Sequence, residues 1–307
     1  MRPNTAFGEF PGCIAMPELP EIEAYLAALR PRIEGSTLEQ TRIASFSLLR
    51  TFDPPIEAAN GVSVAGAHRI GKRVSIDMEN DLHLVVHLMV AGRFRWMDEP
   101  KPIPKRGGLA AFDFSTGSLV LTEAGTKRRA SLSVVRTSGL ADIDPGGIEI
   151  ADATLAEFTD ALLAGRHTLK RALTDARSIS GIGGAFADEI LFAARLSPTQ
   201  MNTNLSAEEI ETLFDACRSV LEDWTRTRIA ETGEGFPTKV TAFHPDMAVH
   251  GKYGEECSVC GAPIQRIVAG GRETNYCPGC QTNGKILADR SLSRLLKDDW
   301  PKHLDEL

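Results

Sequence analysis

The sequence predicts an α+β protein of two domains, and a change of pattern along the chain indicates this class. Up to about residue 140, apolar and polar residues alternate in short runs separated by Asn-Asp and Ser-Thr-Gly turns, which is typical of strands. Beyond a linker at 138–147, apolar residues recur at helical spacing. We therefore expect a sheet domain first and a mainly helical domain after it.

The first predicted element is a helix at the start of the sheet domain. Apolar residues from Ile22 to Leu29 recur on one helical face, and Pro20 suits the first turn. Pro31 is expected to end this helix. Five strands are then predicted, at 73–78, 82–89, 110–114, 118–123 and 131–135.

Two capping boxes mark helices in the second domain. Thr154 with Glu157 precedes one apolar stripe, and Ser206 with Glu209 precedes a longer one. Cys217 lies on the longer stripe, so we interpret it as a core residue rather than a reactive thiol. A short closing helix is predicted in the tail, at 286–307.

Composition and charge exclude several classes of function. The chain has 42% hydrophobic and 24% charged residues, a balance that makes dominant disorder improbable. No apolar run reaches the length of about eighteen residues that a membrane helix needs, and the first residues lack the apolar core of an export signal. A cytosolic protein without a membrane partner is expected. The net charge of -7 also argues against nonspecific coating of nucleic acid.

Four cysteines carry the strongest chemical signal. Cys257, Cys260, Cys277 and Cys280 have the spacing C-x2-C-x16-C-x2-C, which is typical of a structural zinc site with four thiolate ligands. Two disulfides are the alternative, but a chain without an export signal disfavours them. Four thiolates leave no position open for substrate. We therefore predict one structural Zn²⁺ in a segment at 249–285.

Two further motifs are weaker by themselves. The segment between the cysteine pairs predicts a hairpin with Arg272 near its tip, where an arginine could bind a phosphate or could be an ordinary surface residue. Gly181, Gly183 and Gly184 form a turn ahead of a helix whose free N–H groups could bind an anion. Helix ends and close packing require glycine just as often.

Three segments together resemble the formamidopyrimidine-DNA glycosylase and endonuclease VIII family. They are "MPELPEIE" at 16–23, "GIGGAFADEILFAARLSP" at 181–198 and "VHGKYGEECSVCGAPIQRIVAGGRETNYCPGCQ" at 249–281. The resemblance covers almost the whole chain from Met16. It implies an N-terminal β-sandwich with a leading helix over 16–140, a helical domain with a helix-two-turn-helix motif over 141–248, and a zinc-finger hairpin.

The same resemblance implies roles for residues at the start of the first helix. Pro17 matches the residue that becomes N-terminal after Met removal and attacks C1′ of a damaged nucleotide. Glu18 matches the acid that protonates the opening deoxyribose ring, and Glu21 belongs to the same active-site face. The ordinary alternative for both acids is stabilisation of a helix N-terminus. Because an amide nitrogen is not nucleophilic, we expect the working chain to begin at Met16 and residues 1–15 to be absent from it.

Other residues match family positions that bind DNA. Lys72 matches a lysine that contacts phosphate and lesion, and Arg272 matches the zinc-finger arginine that holds phosphates beside the flipped nucleotide. The chain departs from the family where side chains fill the void in the duplex: Val90 stands at the usual Met position, with Met89 beside it. The loop with Lys127, Arg128 and Arg129 has no aromatic residue, and Gly184 replaces a phosphate-binding Asn.

The function that the resemblance implies is a bifunctional DNA glycosylase and abasic-site lyase of base excision repair. It would excise oxidised bases from damaged DNA as a monomer, through a proline iminium and β,δ-elimination, in a bacterial-type cytosol or nucleoid. One alternative is a noncatalytic DNA-damage binding protein of the same fold with a blocked Pro17. Another is a zinc-ribbon protein that binds a protein partner, which would leave the first motif unexplained. The excised base, and the preference for duplex or single strands, are left open.

Overall fold

A computed structural model of the chain describes residues 16–125, 127–238, 240–241, 243–269, 271–289, 294–295 and 301–306. The predicted extension at 1–15 and most of the predicted tail helix lie outside these residues. Of the tail, residues 286–289 are not helical, residues 294–295 are helical, and Leu304–Glu306 forms one 3₁₀ turn. Within the part of the chain that is described, no helix has both the length and the apolar character needed to cross a bilayer.

The leading helix α1 spans Leu19–Ile33, so the prediction that it ends at Pro31 is wrong. A proline near the end of a helix removes one backbone hydrogen bond from the preceding turn. Ile33 is fully buried in the core, and the burial of this last turn offsets that loss. At the other end of the helix, the backbone N–H of Glu18 donates to the Glu21 carboxylate at 2.9 Å.

Eight antiparallel strands follow, and the five predicted strands are among them. Strands β1, β2 and β5 were missed, because β1 buries only one side chain, β2 is interrupted by Gly66, and β5 alternates with exposed or half-buried cations. The strand order is β5-β7-β6-β1-β2-β3-β4-β8. The strands are β1 Thr37–Ile43, β2 Val62–Ile70, β3 Arg73–Met78, β4 Leu82–His87, β5 Gly92–Met97, β6 Gly108–Phe114, β7 Gly117–Glu123 and β8 Ser131–Arg136.

The sheet divides into two halves that share one core. The pairing of β1 with β2 is short, with Thr37 opposite Ser63 and Leu38 opposite Val62, so the chain can turn there from one half to the other. Leu84 of β4 and Phe112 of β6 belong to opposite halves and lie in the same hydrophobic cluster, together with the buried face of α1. This arrangement confirms the predicted β-sandwich with a leading helix.

The second domain is helical, as predicted, and both capping boxes are present. Its helices are α2 Leu140–Ile143, α3 Leu155–Leu163, α4 Leu169–Leu173, α5 Gly184–Ala193 and α6 Ala207–Thr232. Cys217 of α6 is fully buried in the core of this domain, which confirms its interpretation as a packing residue. A hairpin of β9 Gln265–Ala269 and β10 Arg272–Tyr276 follows these helices, with the short helix α7 Pro278–Gln281 after it.

The two domains meet where α1 begins. The N–H of Leu19 donates to the carbonyl of Gly181 at 3.0 Å, and α1 packs along α6. Beside this contact, Arg69 of β2 donates to Glu23 of α1 at 2.9 Å and forms an ion pair with Glu149 of the helical domain. The start of α1, the turn after β2 and the start of α5 are thereby brought together.

Candidate active site

The glycine turn before α5 binds an anion, and that anion is the carboxylate of Glu18. The N–H groups of Gly183, Ala185 and Phe186 donate to it at 2.6, 3.0 and 3.2 Å. A helix N-terminus favours such a charge. The side chain of Glu18 is therefore fixed beside Pro17, and both residues are buried.

Residue 183 has to be glycine for this contact to form. A Cβ there would stand 2.4 Å from Cδ of Glu18 and 2.7 Å from Nζ of Lys72, far inside van der Waals distance. The glycine thus allows a carboxylate and an ammonium group to approach the same stretch of backbone. Gly184, in contrast, is exposed and has open space where a Cβ would be, and its neighbours do not require glycine.

Lys72 lies in the turn between β2 and β3 and is half-buried. Burial lowers the pKa of its ammonium group, while the charges of Glu18 and Glu21 act in the opposite direction. Its position beside Gly183 places it next to the predicted nucleophile. The structure therefore brings together Pro17, Glu18 and Lys72 from segments far apart in the sequence.

Glu21 lies one turn further along α1 and is almost completely buried. Burial raises its pKa from 4.5 to about 7, and the nearby Arg228 guanidinium partly opposes this rise. Nε of Arg228 donates to the Glu21 carboxylate at 3.3 Å, and another nitrogen of Arg228 donates to the carbonyl of Thr241 at 2.8 Å. A carboxyl group with this pKa can exchange a proton near neutral pH.

Glu21 and Arg228 also line a cavity of about 440 Å³ at the junction of the domains. Its polar lining includes Glu231 and His244, which are joined by a contact of 2.6 Å. The apolar part of the lining is Ala24, Phe236, Pro237, Val240, Phe243 and Pro245.

Sequence reasoning missed His87, which ends β4 directly opposite Arg73. Its Nδ1 accepts the N–H of Met89 at 2.9 Å, which assigns the proton of the neutral ring to Nε2. Burial, with the charges of Arg73 and Lys72, lowers the pKa of His87 to about 4. The strand register could have indicated this residue, because pairing β3 with β4 places it beside Lys72.

The predicted DNA-binding loops lie at this same end of the sheet. Met89 is half-buried in a turn with φ of 54°, and Ala91 in that turn accepts a hydrogen bond from Ala124. Lys127, Arg128 and Arg129 are exposed. The buried Glu123, also missed by sequence reasoning, accepts the N–H groups of Arg129 and Ala130 at distances of 2.9 to 3.1 Å.

Arg272 is the first residue of β10 and is exposed, in agreement with its predicted place near the hairpin tip. Its side chain has no hydrogen bond or ion pair with any residue that the structure describes. The strand that carries it is held by Lys170, whose Nζ donates to the carbonyl of Glu273 and to the fully buried Asp188, both at 2.7 Å. Asp188 also accepts from the N–H of Asn275 at 3.1 Å and contacts His250 at 2.9 Å.

The four cysteines converge below this hairpin. Their sulfur atoms all lie within 4.8 Å of one another, with 3.4 Å between Cys260 and Cys277 and 3.9 Å between Cys257 and Cys280. Zinc–thiolate bonds of about 2.3 Å in a tetrahedron require sulfur atoms about 3.8 Å apart. The donor set and its geometry therefore fit a zinc ion.

Family models match three consecutive parts of the chain. The formamidopyrimidine-DNA glycosylase N-terminal domain matches residues 16–131, and the helix-two-turn-helix domain of the same glycosylase matches residues 147–232. A zinc finger found in formamidopyrimidine-DNA glycosylase and isoleucyl-tRNA synthetase matches residues 254–283. The three matches correspond, in chain order, to the sheet domain, the helical domain and the hairpin with the four cysteines.

Known proteins agree with these matches. The chain is 32% identical to the formamidopyrimidine-DNA glycosylase of Geobacillus kaustophilus over 286 residues, covering 87% of this chain and 100% of the relative. The enzyme of Thermus thermophilus is also 32% identical, with 88% and 100% covered. The structure of the Lactococcus lactis glycosylase with abasic-site DNA superposes with a TM-score of 0.75 at 25% identity, covering 86% of this chain and 99% of that one. The chain therefore belongs to the formamidopyrimidine-DNA glycosylase family.

Proposed function

We propose that this protein is a DNA glycosylase and abasic-site lyase of base excision repair that excises oxidised bases by attack of Pro17. The observation that carries the proposal is the convergence of Glu18, Lys72 and the Gly183 turn beside Pro17. The names of its relatives support a formamidopyrimidine-type substrate. The solved complexes of similar proteins with abasic-site DNA support a DNA partner.

Pro17 acts as the nucleophile when it is the first residue of the chain. Its secondary amine then has a reference pKa of about 8, so an appreciable fraction is neutral near pH 7. The nitrogen lone pair forms a bond to C1′ while the bond from C1′ to the base breaks. The amine proton is lost, and the departing base takes up a proton.

When the deoxyribose ring then opens, the bond from C1′ to O4′ breaks, O4′ takes up a proton, and the nitrogen lone pair forms the double bond of an iminium. This iminium is an electron sink, because its positive nitrogen accepts the electron pair released when C2′ loses a proton. The bond to the 3′ phosphate then breaks in β-elimination, and δ-elimination releases the 5′ phosphate. We assign protonation of the opening deoxyribose ring to Glu18, which is held beside Pro17. Glu21, with a pKa of about 7, is suited to carry protons during these steps.

The remaining site residues are proposed to hold the DNA. Lys72 and the Nε2–H of His87 would contact phosphate at the lesion, and Arg272 would bind phosphates from the zinc-finger side. Lys127, Arg128 and Arg129 would hold the backbone, with the Gly184 N–H and Met89 as further contacts. One zinc ion held by Cys257, Cys260, Cys277 and Cys280 would be structural, because four thiolates complete its coordination.

We further propose that the working protein is a monomer whose chain begins at Pro17, acting in the cytosol or nucleoid where its DNA substrate lies. The residues that precede Met16 support a second candidate function. If Pro17 stays linked to residue 16, its nitrogen is an amide with a delocalised lone pair. That form would recognise damaged DNA without reacting.

Borohydride trapping on an abasic-site oligonucleotide distinguishes the two functions. Protein expressed from its native upstream region should give a covalent adduct that peptide mapping places on the nitrogen of Pro17. Pro20→Ala, in the same helix, should still trap, whereas Pro17→Ala should trap more slowly through a primary amine. An intact chain from Met1 that binds the abasic site but gives no adduct would exclude the catalytic function for that form.

A further inference from the structure

Two phenylalanines and an arginine that the proposed mechanism does not use are exposed on one short segment, residues 45–52. The side chains of Phe46 and Phe52 are 78% and 73% exposed, and Arg50 between them is exposed as well. Leu48 and Leu49 of the same segment are buried in the core. The segment is therefore anchored by its leucines and presents its aromatic rings to solvent. We call Phe46, Arg50 and Phe52 the aromatic platform.

Strand pairing places this platform at the active-site end of the sheet. Arg73 pairs with His87, and His87 pairs with Ser131 of β8. The next residue of β8, Leu132, forms a bridge with Leu49 of the platform segment. Neighbouring strands lie about 4.8 Å apart. Three such spacings, from β3 to β4, from β4 to β8 and from β8 to Leu49, therefore separate the backbone at Leu49 from that at Arg73 by about 14 Å.

The backbone of the segment is firmly attached at this position. The N–H of Arg50 donates to the carbonyl of Leu132 at 2.9 Å. The side-chain hydroxyl of Thr51 donates to the carbonyl of Val134 at 2.9 Å and accepts the N–H of Val134 at 2.7 Å. Upstream, the N–H of Ser45 donates to the carbonyl of Leu109 at 3.2 Å. The segment that carries the platform is thus attached to the sheet, which sets where the two side chains leave the surface.

A cationic loop precedes the strand to which the platform segment is attached. The exposed loop with Lys127, Arg128 and Arg129 leads directly into β8. The nearby carboxylate of Glu123 is buried and accepts backbone N–H groups, so it does not face this surface. Asp53, beside Phe52, is the exposed acid of the platform segment.

We propose that the aromatic platform stacks on unpaired nucleotides that flank the lesion in the DNA substrate. Exposed aromatic rings among cations are the combination by which proteins bind single-stranded nucleic acid, since each unpaired base offers an open π face. In duplex DNA the base faces are covered by stacking, so only the cations of this surface would bind.

The inference rests on the proposed function, because it names the substrate class of that site: damaged DNA with unpaired bases, as in a bubble or a fork. The loop with Lys127, Arg128 and Arg129 has no aromatic residue, and the platform would supply aromatic rings from another segment of the same sheet. A protein partner for the two rings is the competing explanation, and the cationic loop that leads into β8 favours a polyanion over it.

The test compares affinities for two matched oligonucleotides that carry the same uncleavable abasic-site analogue, one fully paired and one within a bubble. Fluorescence anisotropy would be measured with the full chain and with Phe46→Ala/Phe52→Ala. Stacking is worth about 1–3 kcal/mol per base, so bubble affinity should fall at least about fivefold and duplex affinity by less than about twofold. Leu163→Ala, an exposed apolar residue of α3, is the matched control and should change neither.

Two further variants separate stacking from simple apolar burial. Phe46→Leu/Phe52→Leu should lose bubble affinity almost as much as the alanine pair, whereas Phe46→Trp should retain it and show quenched fluorescence with the bubble. Equal affinities of wild type and the alanine pair for both oligonucleotides would overturn the inference, and so would equal losses on both. Borohydride trapping by the wild type is scored separately, so failure of the proposed chemistry would appear there and not in the ratio of affinities.

Discussion

At the scale of single residues, the approach of Glu18 to the turn before α5 requires that residue 183 has no side chain. Glu18 and Lys72 approach each other across a position where a Cβ cannot stand. The sequence indicated a glycine turn that could bind an anion without identifying that anion, and the three N–H groups bind Glu18. The sequence motif was recognisable because it is local, while its partner lies about 165 residues away in the chain.

Gly183→Ala tests this dependence. The added methyl group must displace Glu18 or Lys72, and a misplacement of about 1 Å in an active site can reduce the rate about a hundredfold. We expect a loss of that order in single-turnover base excision. Gly66→Ala is the matched control, since its methyl group would enter open space and Gly66 is not among the proposed DNA contacts. Equal rates for the two variants would contradict the importance of the close contact.

Glu21 should make the stability of the protein depend on pH. Its pKa is raised from 4.5 to about 7 in the folded state, so the folded protein holds a proton that the unfolded chain releases. The contribution of Glu21 to stability is therefore fully present below about pH 4.5 and is lost as pH rises through about 7. Glu21→Gln should remove this loss, by at most about 3 kcal/mol.

Urea denaturation at pH 5 and pH 8 measures the effect of Glu21. The variant should gain stability relative to the wild type between the two pH values. The exposed Glu34→Gln should show no such change. A constant difference between Glu21→Gln and wild type across this range would show that Glu21 is ionised throughout.

At the scale of elements, the hairpin that carries Arg272 is held to α5 by Asp188. This carboxylate is fully buried and contacts Lys170, His250 and the backbone of Asn275. Removing one member of a buried charge network typically costs about 3–5 kcal/mol. Asp188→Ala should therefore loosen the hairpin and weaken the binding of DNA.

Hydrogen exchange of β9 and β10 is the direct measurement for Asp188→Ala, with the exposed Asp215→Ala as control. Protection should fall in the hairpin and remain in the sheet domain. Unchanged protection in the hairpin would show that the cysteine site alone positions it.

The cysteine site gives the second prediction at this scale. One zinc ion per chain is expected by metal analysis, and Cys277→Ser should reduce zinc content and expose the hairpin to proteolysis. Cys217→Ala, in the core of the helical domain, should leave the zinc content unchanged although it destabilises that core. Full zinc content in Cys277→Ser would contradict the assignment of this ligand.

At the scale of the whole molecule, binding of DNA has to overcome a net charge of -7. Lys127, Arg128 and Arg129 at one end of the sheet, with Arg272 on the hairpin, are exposed and can face a polyanion. Affinity should therefore fall steeply with salt, since released counterions drive phosphate contacts.

Lys127→Ala/Arg128→Ala/Arg129→Ala should reduce the slope of log affinity against log salt by about 0.9 for each phosphate contact that is lost, up to about three units. Arg226→Ala, an exposed arginine of α6, is the control. An anisotropy titration series from low to high salt measures both slopes. A slope that does not change in the triple variant would show that this loop does not contact phosphate.

The sequence by itself determined the fold class, the capped helices, five strands of the sheet and the four cysteines, because each depends on local spacing. It did not predict β1, β2 and β5, whose partly exposed or interrupted patterns depend on pairing with distant strands, or the continuation of α1 through Pro31. The domain limits stay a prediction. Only the tertiary structure decided that Glu18 binds the α5 turn, that burial raises the pKa of Glu21, and that His87 and the aromatic platform share the active-site end of the sheet. Hydrogen bonds, desolvation and strand register join residues far apart in the chain, and local sequence patterns carry no record of them.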